Sequence, residues 1–341
     1  MTDLSRLNRR GEVVRARGAR RVGCSLLLGI VLSAVTLLGA PSNGVAQVDE
    51  LAGRCVLVGT ADAASCHQYA LATQLVQSGL GLTHAGGNAF QGSVSTLGRR
   101  FGATPRVAVS VRGALTRFPV ARPDGGLGDI PAQWANVPSL HGQFTVGVFD
   151  GFSTAPTVGG LLSFDLLATA DIAFLPDTRG FADHSSGWGY GMRLGVIRES
   201  FTLPGITLSA TRKHGGSVDF VSPGVVVSLE EVKTTSLRAV VGKEFMIGGL
   251  LAGAGWDRYS SEGEMRYAGP SLGTDPPPTP LDGFHASRMV LFGGWSKTFL
   301  VLQISGEVGW ARGFERASPL ITGFDPGTGS AFGSFSLRLT L

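Results

Sequence analysis

Ser334-Phe335-Ser336-Leu337-Arg338-Leu339-Thr340-Leu341 closes the chain on a strict alternation. Phe335, Leu337, Leu339 and Leu341 share one side; Ser334, Ser336, Arg338 and Thr340 share the other. In an extended segment successive side chains point to opposite faces, so this stretch is a strand with one apolar and one polar face. A helix would scatter the same residues around its surface.

Upstream segments repeat the pattern. Val107, Val109, Val111 and Leu115 oppose Ser110, Arg112 and Thr116, and Phe144, Val146 and Val148 oppose His141, Gln143 and Thr145. Over 162–174, Leu162, Phe164, Leu166, Ala168, Ala170, Ile172 and Phe174 form one face, with Ser163, Asp165, Thr169 and Asp171 on the other. Alternation continues through 188–196, 206–211, 236–244, 250–257 and 300–310. Segment 285–297 is less regular, because Met289, Val290, Leu291 and Phe292 are consecutive apolar residues. These segments and the last make ten strands. The connections 118–139, 175–186, 215–233, 261–284 and 313–328 are long, whereas 151–157, 200–204, 246–248 and 298–299 are short. Long and short alternate as in an antiparallel up-and-down barrel that crosses a membrane. Val225–Glu230 either extends a hairpin above the membrane or supplies extra strands, which would make twelve.

Residues 1–46 read as a signal peptide. Arg6, Arg9, Arg10, Arg15, Arg17, Arg20 and Arg21 precede an apolar run from about Cys24 to Leu38, and Gly44 and Ala46 suit signal peptidase, leaving Gln47 as the mature start. The run is short for a spanning helix, which needs ~20 residues, so an uncleaved anchor is the weaker reading. The paired arginines suggest twin-arginine export, but seven scattered arginines make such pairs commonplace. Cys24 begins the apolar run instead of following it, so it is no lipoprotein cysteine. The leader holds seven of the 29 Lys+Arg and two of the 25 Asp+Glu, which leaves 22 against 23. The formal charge of +4 thus belongs to the leader. No basic surface remains for nucleic acid.

Residues 47–105 form an N-terminal periplasmic or barrel-plugging segment, with a first pair of irregular strands as the competing reading. Ala61–Gln77 reads as a short helix in which Tyr69, Ala72, Leu75 and Val76 repeat at helical spacing, and Gly-rich sequence follows it. Cys55 and Cys66 are the only cysteines after the leader. An oxidising periplasm favours a disulfide between them over two buried thiols. Residues 106–341 are then the barrel. The 51 glycines of the whole chain, about twice the usual share of ~7%, suit turns and a crowded interior better than helices.

Soluble-enzyme motifs are absent: there is no G-x-x-x-x-G-K-[ST], H-E-x-x-H, G-x-S-x-G or C-x-x-C. The six histidines (His67, His84, His141, His184, His214, His285) are scattered, so no metal or other cofactor is expected. Asp183 and His184-Ser185-Ser186 fall in a long connection, where a surface hydrolase acting on lipid or peptide is conceivable but a solvated loop is the better reading. Trp188, Tyr190, Trp256, Tyr259, Trp295 and Trp310 suit a membrane interface. The polar faces carry Arg112, Asp165, Asp171, Arg193, Arg238, Glu244, Asp257, Glu307 and Arg338, all assigned to the lumen because an Arg or Lys facing lipid at mid-membrane costs ~2–4 kcal/mol. Four arginines against five carboxylates fit either an internal salt-bridge network filling a narrow barrel or a polar pore without strong ion preference.

Together, the leader, the alternation and the ending Phe335–Leu341 resemble bacterial outer-membrane β-barrel proteins as a class, over about residues 106–341. The resemblance implies an outer-membrane location in a Gram-negative cell. It also implies contact with outer-membrane lipids and recognition of the last strand by the barrel-assembly machinery. Leu341 replaces the usual terminal aromatic, and Ser336 stands where glycine is frequent. A segment ahead of a barrel is similar to the hatch of hydrophobic-compound channels, without a motif specific to them. The expected function is passive transport or a structural role, with a surface enzyme and a secreted soluble β-sandwich as alternatives. Oligomeric state is not written in these patterns.

Overall fold

A computed structural model describes residues 44–59, 61–100, 104–123, 132–152, 161–181, 184–200, 203–268, 277–314 and 325–341. The leader as far as residue 43, together with Asp183, lies outside them. Ten long strands follow one another as an antiparallel meander: β1 Val107–Ala121, β2 Ala132–Phe149, β3 Ser163–Phe174, β4 His184–Ile197, β5 Gly205–Gly215, β6 Val225–Phe245, β7 Gly248–Tyr267, β8 His285–Phe299, β9 Leu302–Ala311 and β10 Ser330–Thr340. The closing strand β10 pairs with β1 through Leu337↔Val111, and Leu341 and Val107 exchange both backbone hydrogen bonds. The sheet is therefore a closed barrel without an open edge, and not a sandwich.

The strand number is ten because Val225–Leu229 is the outer end of the 21-residue β6. It pairs there with β7 and with the short strand Val218–Val221. Strands of 18, 21 and 20 residues (β2, β6, β7) exceed the ~9–11 that a bilayer requires, so hairpins expected as loops stand above it as sheet. Thr279–Pro280, expected to be loop, pairs with the outer end of β7, an edge position that proline tolerates. At the opposite end, β6–β7 and β8–β9 turn in two residues each, Met246-Ile247 and Leu300-Val301. Short turns mark the periplasmic side. The connection 150–162 is the exception to the expected short turns.

The facing follows the alternation. Along β3, Leu166, Ala168, Ala170 and Phe174 are exposed and Phe164 is half-buried, while Ser163, Asp165 and Asp171 are buried. Met289 and Leu291 point outward and Val290 and Phe292 inward, so the irregular stretch of β8 keeps its period. The inward pair is apolar because part of the interior is itself an apolar core.

Two helices fill what would otherwise be the pore. Helix α1, Gly44–Leu57, begins with the proposed cleavage residues. Its residues Val48, Leu51, Ala52 and Cys55 recur at i, i+3, i+4, i+7 and are fully buried with Val225, Val227, Leu229, Met265, Leu281 and Phe284 at the outer end. Helix α2, Ala63–Ala85, is capped by Asp62, whose carboxylate accepts from the backbone N–H groups of Ala64 and Ser65. Those bonds, the Ser65 N–H foremost, hold the Asp62 carboxyl below its ordinary pKa.

Cys55 and Cys66 form a disulfide that ties α1 to α2. Removing it by Cys55→Ser/Cys66→Ser should lower the resistance of the hairpin to denaturant by ~2–3 kcal/mol, with the barrel midpoint moved less. Equal losses for hairpin and barrel would show that the two unfold as one unit.

Candidate functional site: the occupied lumen

At 1.5 Å per residue the 23 residues of α2 span about 35 Å, close to the thickness of a hydrocarbon core. From Gln68 to Ala85 every residue is buried, and the helix packs against β1 to β3 and β5 to β8. It is therefore inside the barrel. It descends from the outer end, where α1 sits, toward the periplasmic end, where residues 99–107 lead into β1. The helix extends past the expected Gln77, through Gly79 and Gly81, because those glycines touch the wall. A Cβ on Gly79 would lie 2.2 Å from the Phe118 ring, and one on Gly81 2.1 Å from the Tyr259 ring. Glycine, a poor helix former, is what allows this helix so close to the sheet.

Wall cations grip the C-terminal half of α2 and the turn after it. Arg288 donates to Ser78 O (2.7 Å), Arg112 to Gly86 O (2.9 Å) and Arg238 to Gly87 O (3.1 Å) and Ala85 O (3.4 Å), while Lys213 donates to His84 O. The last carbonyls of a helix lack intrahelical partners and carry its negative end, so cations suit this place.

The carboxylates complete the network. Arg238 meets Asp257 in a two-pronged pair (2.6 and 2.9 Å), and Tyr259 donates to the same carboxylate. Glu307 accepts from the Asn88 N–H at 2.9 Å. Asp171 receives His84 of the helix, with Lys213 at 3.4 Å and His141 at 3.9 Å. Nearer the periplasm, Arg193 pairs with Asp165 at 2.6 Å, lies 4.0 Å above the Phe90 ring and donates to Ser93 O, while Asp165 accepts from the Leu97 N–H. Arg338 is buried at this end, without an ion pair among the described residues. Glu244 departs from expectation. It has the lumen register but lies at the exposed periplasmic rim, where β6 runs past the packed interior and its N–H donates to Glu199.

Sequence reasoning passed over His84, Lys213 and Arg288. Lys213 extends the polar face of Thr207, Ser209 and Thr211 by one step and was legible in that alternation. Arg288 was hidden by the apolar run after it, and His84 by the glycines around it. Tyr259, expected at the membrane interface, is fully buried against the plug; Trp188, Tyr190, Trp295 and Trp310 are exposed on the outer face.

Asp171, His84 and Ser185 form a line, with 3.4 Å from His84 Nε2 to Ser185 Oγ. His184, Ser185 and Ser186 begin β4 and are not loop. Ser185 and His84 are each 2% exposed, so no substrate reaches the serine. The line joins helix to wall. Beside the plug's last turn remains a cavity of about 30 Å³, space for one or two waters, lined by Arg112, Lys213, Arg238, His141, Thr169 and Ser236 among others.

Outside, Val109, Val111, Leu115, Leu140, Phe144, Leu166, Met192, Leu250, Met289, Leu291, Phe335 and Leu337 are each 44–55% exposed. An apolar belt around a closed sheet with its charges inside is a membrane-spanning surface. The fold is that of a bacterial outer-membrane β-barrel. No protein-family model matches the chain, and no curated protein matches it. Among solved structures it is similar to the translocator domain of the autotransporter NalP from Neisseria meningitidis, with 11% identity, 69% of this chain and 88% of that one covered, and a TM-score of 0.35. It is also similar to the transport unit of the autotransporter AIDA-I from Escherichia coli (8% identity, 79% and 98% covered, TM-score 0.38). An outer membrane channel from Pseudomonas putida F1 matches with 11% identity, 74% and 100% covered, and a TM-score of 0.36. At these scores the assignment to a barrel rests on the chain's own geometry.

Proposed function

We propose that this protein is an outer-membrane channel held shut by its own N-terminal helix, which conducts solutes only when that helix is displaced. The observation that carries the reading is α2 itself, a lumen-length helix buried from Gln68 to Ala85 and fixed by side-chain hydrogen bonds from the wall. A lumen that admits a helix, about 10 Å across with its side chains, is wide enough for small solutes once vacated. The grip on the last turn is polar, while Tyr69, Val76 and Leu80 pack in one apolar core with Phe118, Val137 and Val227 of the wall. Both can be given up without dismantling the barrel, whose strand pairing is complete without the helix. In this reading the signal peptide is removed after Ala46, the last strand is read by the assembly machinery, and Gln47 of the mature chain lies at the outer mouth, bonded to His285. Ser185, the serine beside His84 and Asp171, is enclosed, so that line of residues does not support the surface-enzyme reading.

Liposome swelling tests the proposal. Wild-type protein should admit small sugars slowly. Gly79→Leu/Gly81→Leu, which drives side chains into Phe118 and Tyr259, should unseat the plug and admit them many-fold faster. Equal, rapid swelling for both would mean that the helix does not close the lumen. No swelling by a correctly inserted variant would end the channel reading.

A further inference from the structure

The charge balance of the closed lumen differs from the one its sequence suggested. Glu244 is outside at the rim, whereas Lys213 and Arg288 are inside. Among the described residues the interior therefore holds six cations (Arg112, Arg193, Lys213, Arg238, Arg288, Arg338) against four carboxylates, Asp165, Asp171, Asp257 and Glu307. Arg112, Arg288 and Arg338 have no ion pair among the described residues. Buried cations without carboxylates need other electron-rich partners. Arg112 and Arg288 find them in the plug, at Gly86 O and Ser78 O, and Lys213 and Arg238 add bonds to His84 O, Gly87 O and Ala85 O. Among the described residues the cavity beside this contact is lined by three cations and no carboxylate, and His141 Nδ1, Thr169 Oγ1 and Ser236 Oγ on its lining have no hydrogen-bond partner there.

We propose that Arg112, Lys213 and Arg238, with Arg288 nearly two helical turns away at Ser78, form an anion-recognition site whose resting occupants are the carbonyls in the C-terminal half of the plug, so that the opened barrel passes small anions in preference to cations. This deepens the channel reading and rests on it. Withdrawal of α2 removes the carbonyl oxygens and leaves four wall cations facing a pore. Asp171, Asp257 and Glu307 offset three of them, and the excess that remains is positive. Rings of Arg and Lys select anions because the narrow, low-dielectric surroundings strengthen each charge. Small carboxylates, phosphate or chloride would take the places of the carbonyls. By competing for the same donors, they would also favour the open state.

The test is planar-bilayer recording of the full chain across a KCl gradient. The plug is unseated by Gly79→Leu/Gly81→Leu and, independently, by rising urea on the wild type. The expected result is discrete openings with a reversal potential on the chloride side, a several-fold anion preference. That preference should shrink toward none when Arg112→Gln and Lys213→Gln are added. Openings that favour potassium or neither ion would overturn the anion site while the channel reading stands. No openings from either preparation would overturn both.

Discussion

Asp165→Ala should destabilise the protein by about 3–5 kcal/mol, because it leaves a buried guanidinium without its counter-charge. Arg193 is 1% exposed and Asp165 fully buried, so water cannot take over the missing partner. The Leu97 N–H loses its acceptor in the same step, which loosens the loop that leads from the plug into the barrel. Denaturant unfolding of bilayer-inserted protein measures the loss. Asp165→Ala/Arg193→Met should recover most of it, since removing both members of a buried pair is far less costly than removing one. A loss below about 1 kcal/mol, the scale of exposed pairs, would mean that this end of the lumen is wet.

On the other face, Ala168→Arg should cost ~2–4 kcal/mol in a bilayer, whereas Ala168→Leu should be neutral or slightly stabilising. Ala168 is exposed midway along β3, between Phe144 of β2 and Tyr190 of β4. Nothing but lipid can cover it there, and the neighbouring strands offer no carboxylate. Thr169, one step along, faces the lumen and lines the small cavity, so its control is the conservative Thr169→Ser. If Ala168→Arg is tolerated as well as Ala168→Leu, this face of the sheet never meets a bilayer.

The barrel was legible in the sequence because a period of two survives in nearly every strand. A lipid face admits apolar side chains with few exceptions, so alternation such as Phe164, Leu166, Ala168 and Ala170 against Asp165 and Asp171 is imposed by the solvent on both sides. The outer ends of β6 and β7 were less legible. Above the membrane the second solvent is water, and Val225–Glu230 no longer has to declare a face.

The plug was only partly legible, for a different reason. The periodicity of α2 fades beyond Gln77 because the helix is buried on all sides, and a helix packed all round has no polar stripe to reveal it. Its glycines, which read as loop, mark the closest approach to Phe118 and Tyr259. Helix α1 depends on burial of Val48, Leu51, Ala52 and Cys55 by distant strands, a tertiary effect that local propensity does not carry. The lumen charges followed from alternation wherever their strands were regular. Arg288 lay outside that logic because Val290 and Phe292 face an apolar core that exists only when the plug is in place.

Thiol labelling of intact cells with a membrane-impermeant maleimide tests the threaded helix most directly, since Cys55 and Cys66 are disulfide-bonded and the third cysteine, Cys24, belongs to the leader. Glu50→Cys sits on the exposed side of α1 at the outer mouth, and Ser78→Cys is a near-isosteric change at a buried site in α2. The account predicts that Cys at 50 is labelled on whole cells and that Cys at 78 stays protected until the protein is unfolded. Ready labelling at 78, or protection of 50 until the cells are broken, would contradict a helix that stoppers the barrel from its outer end.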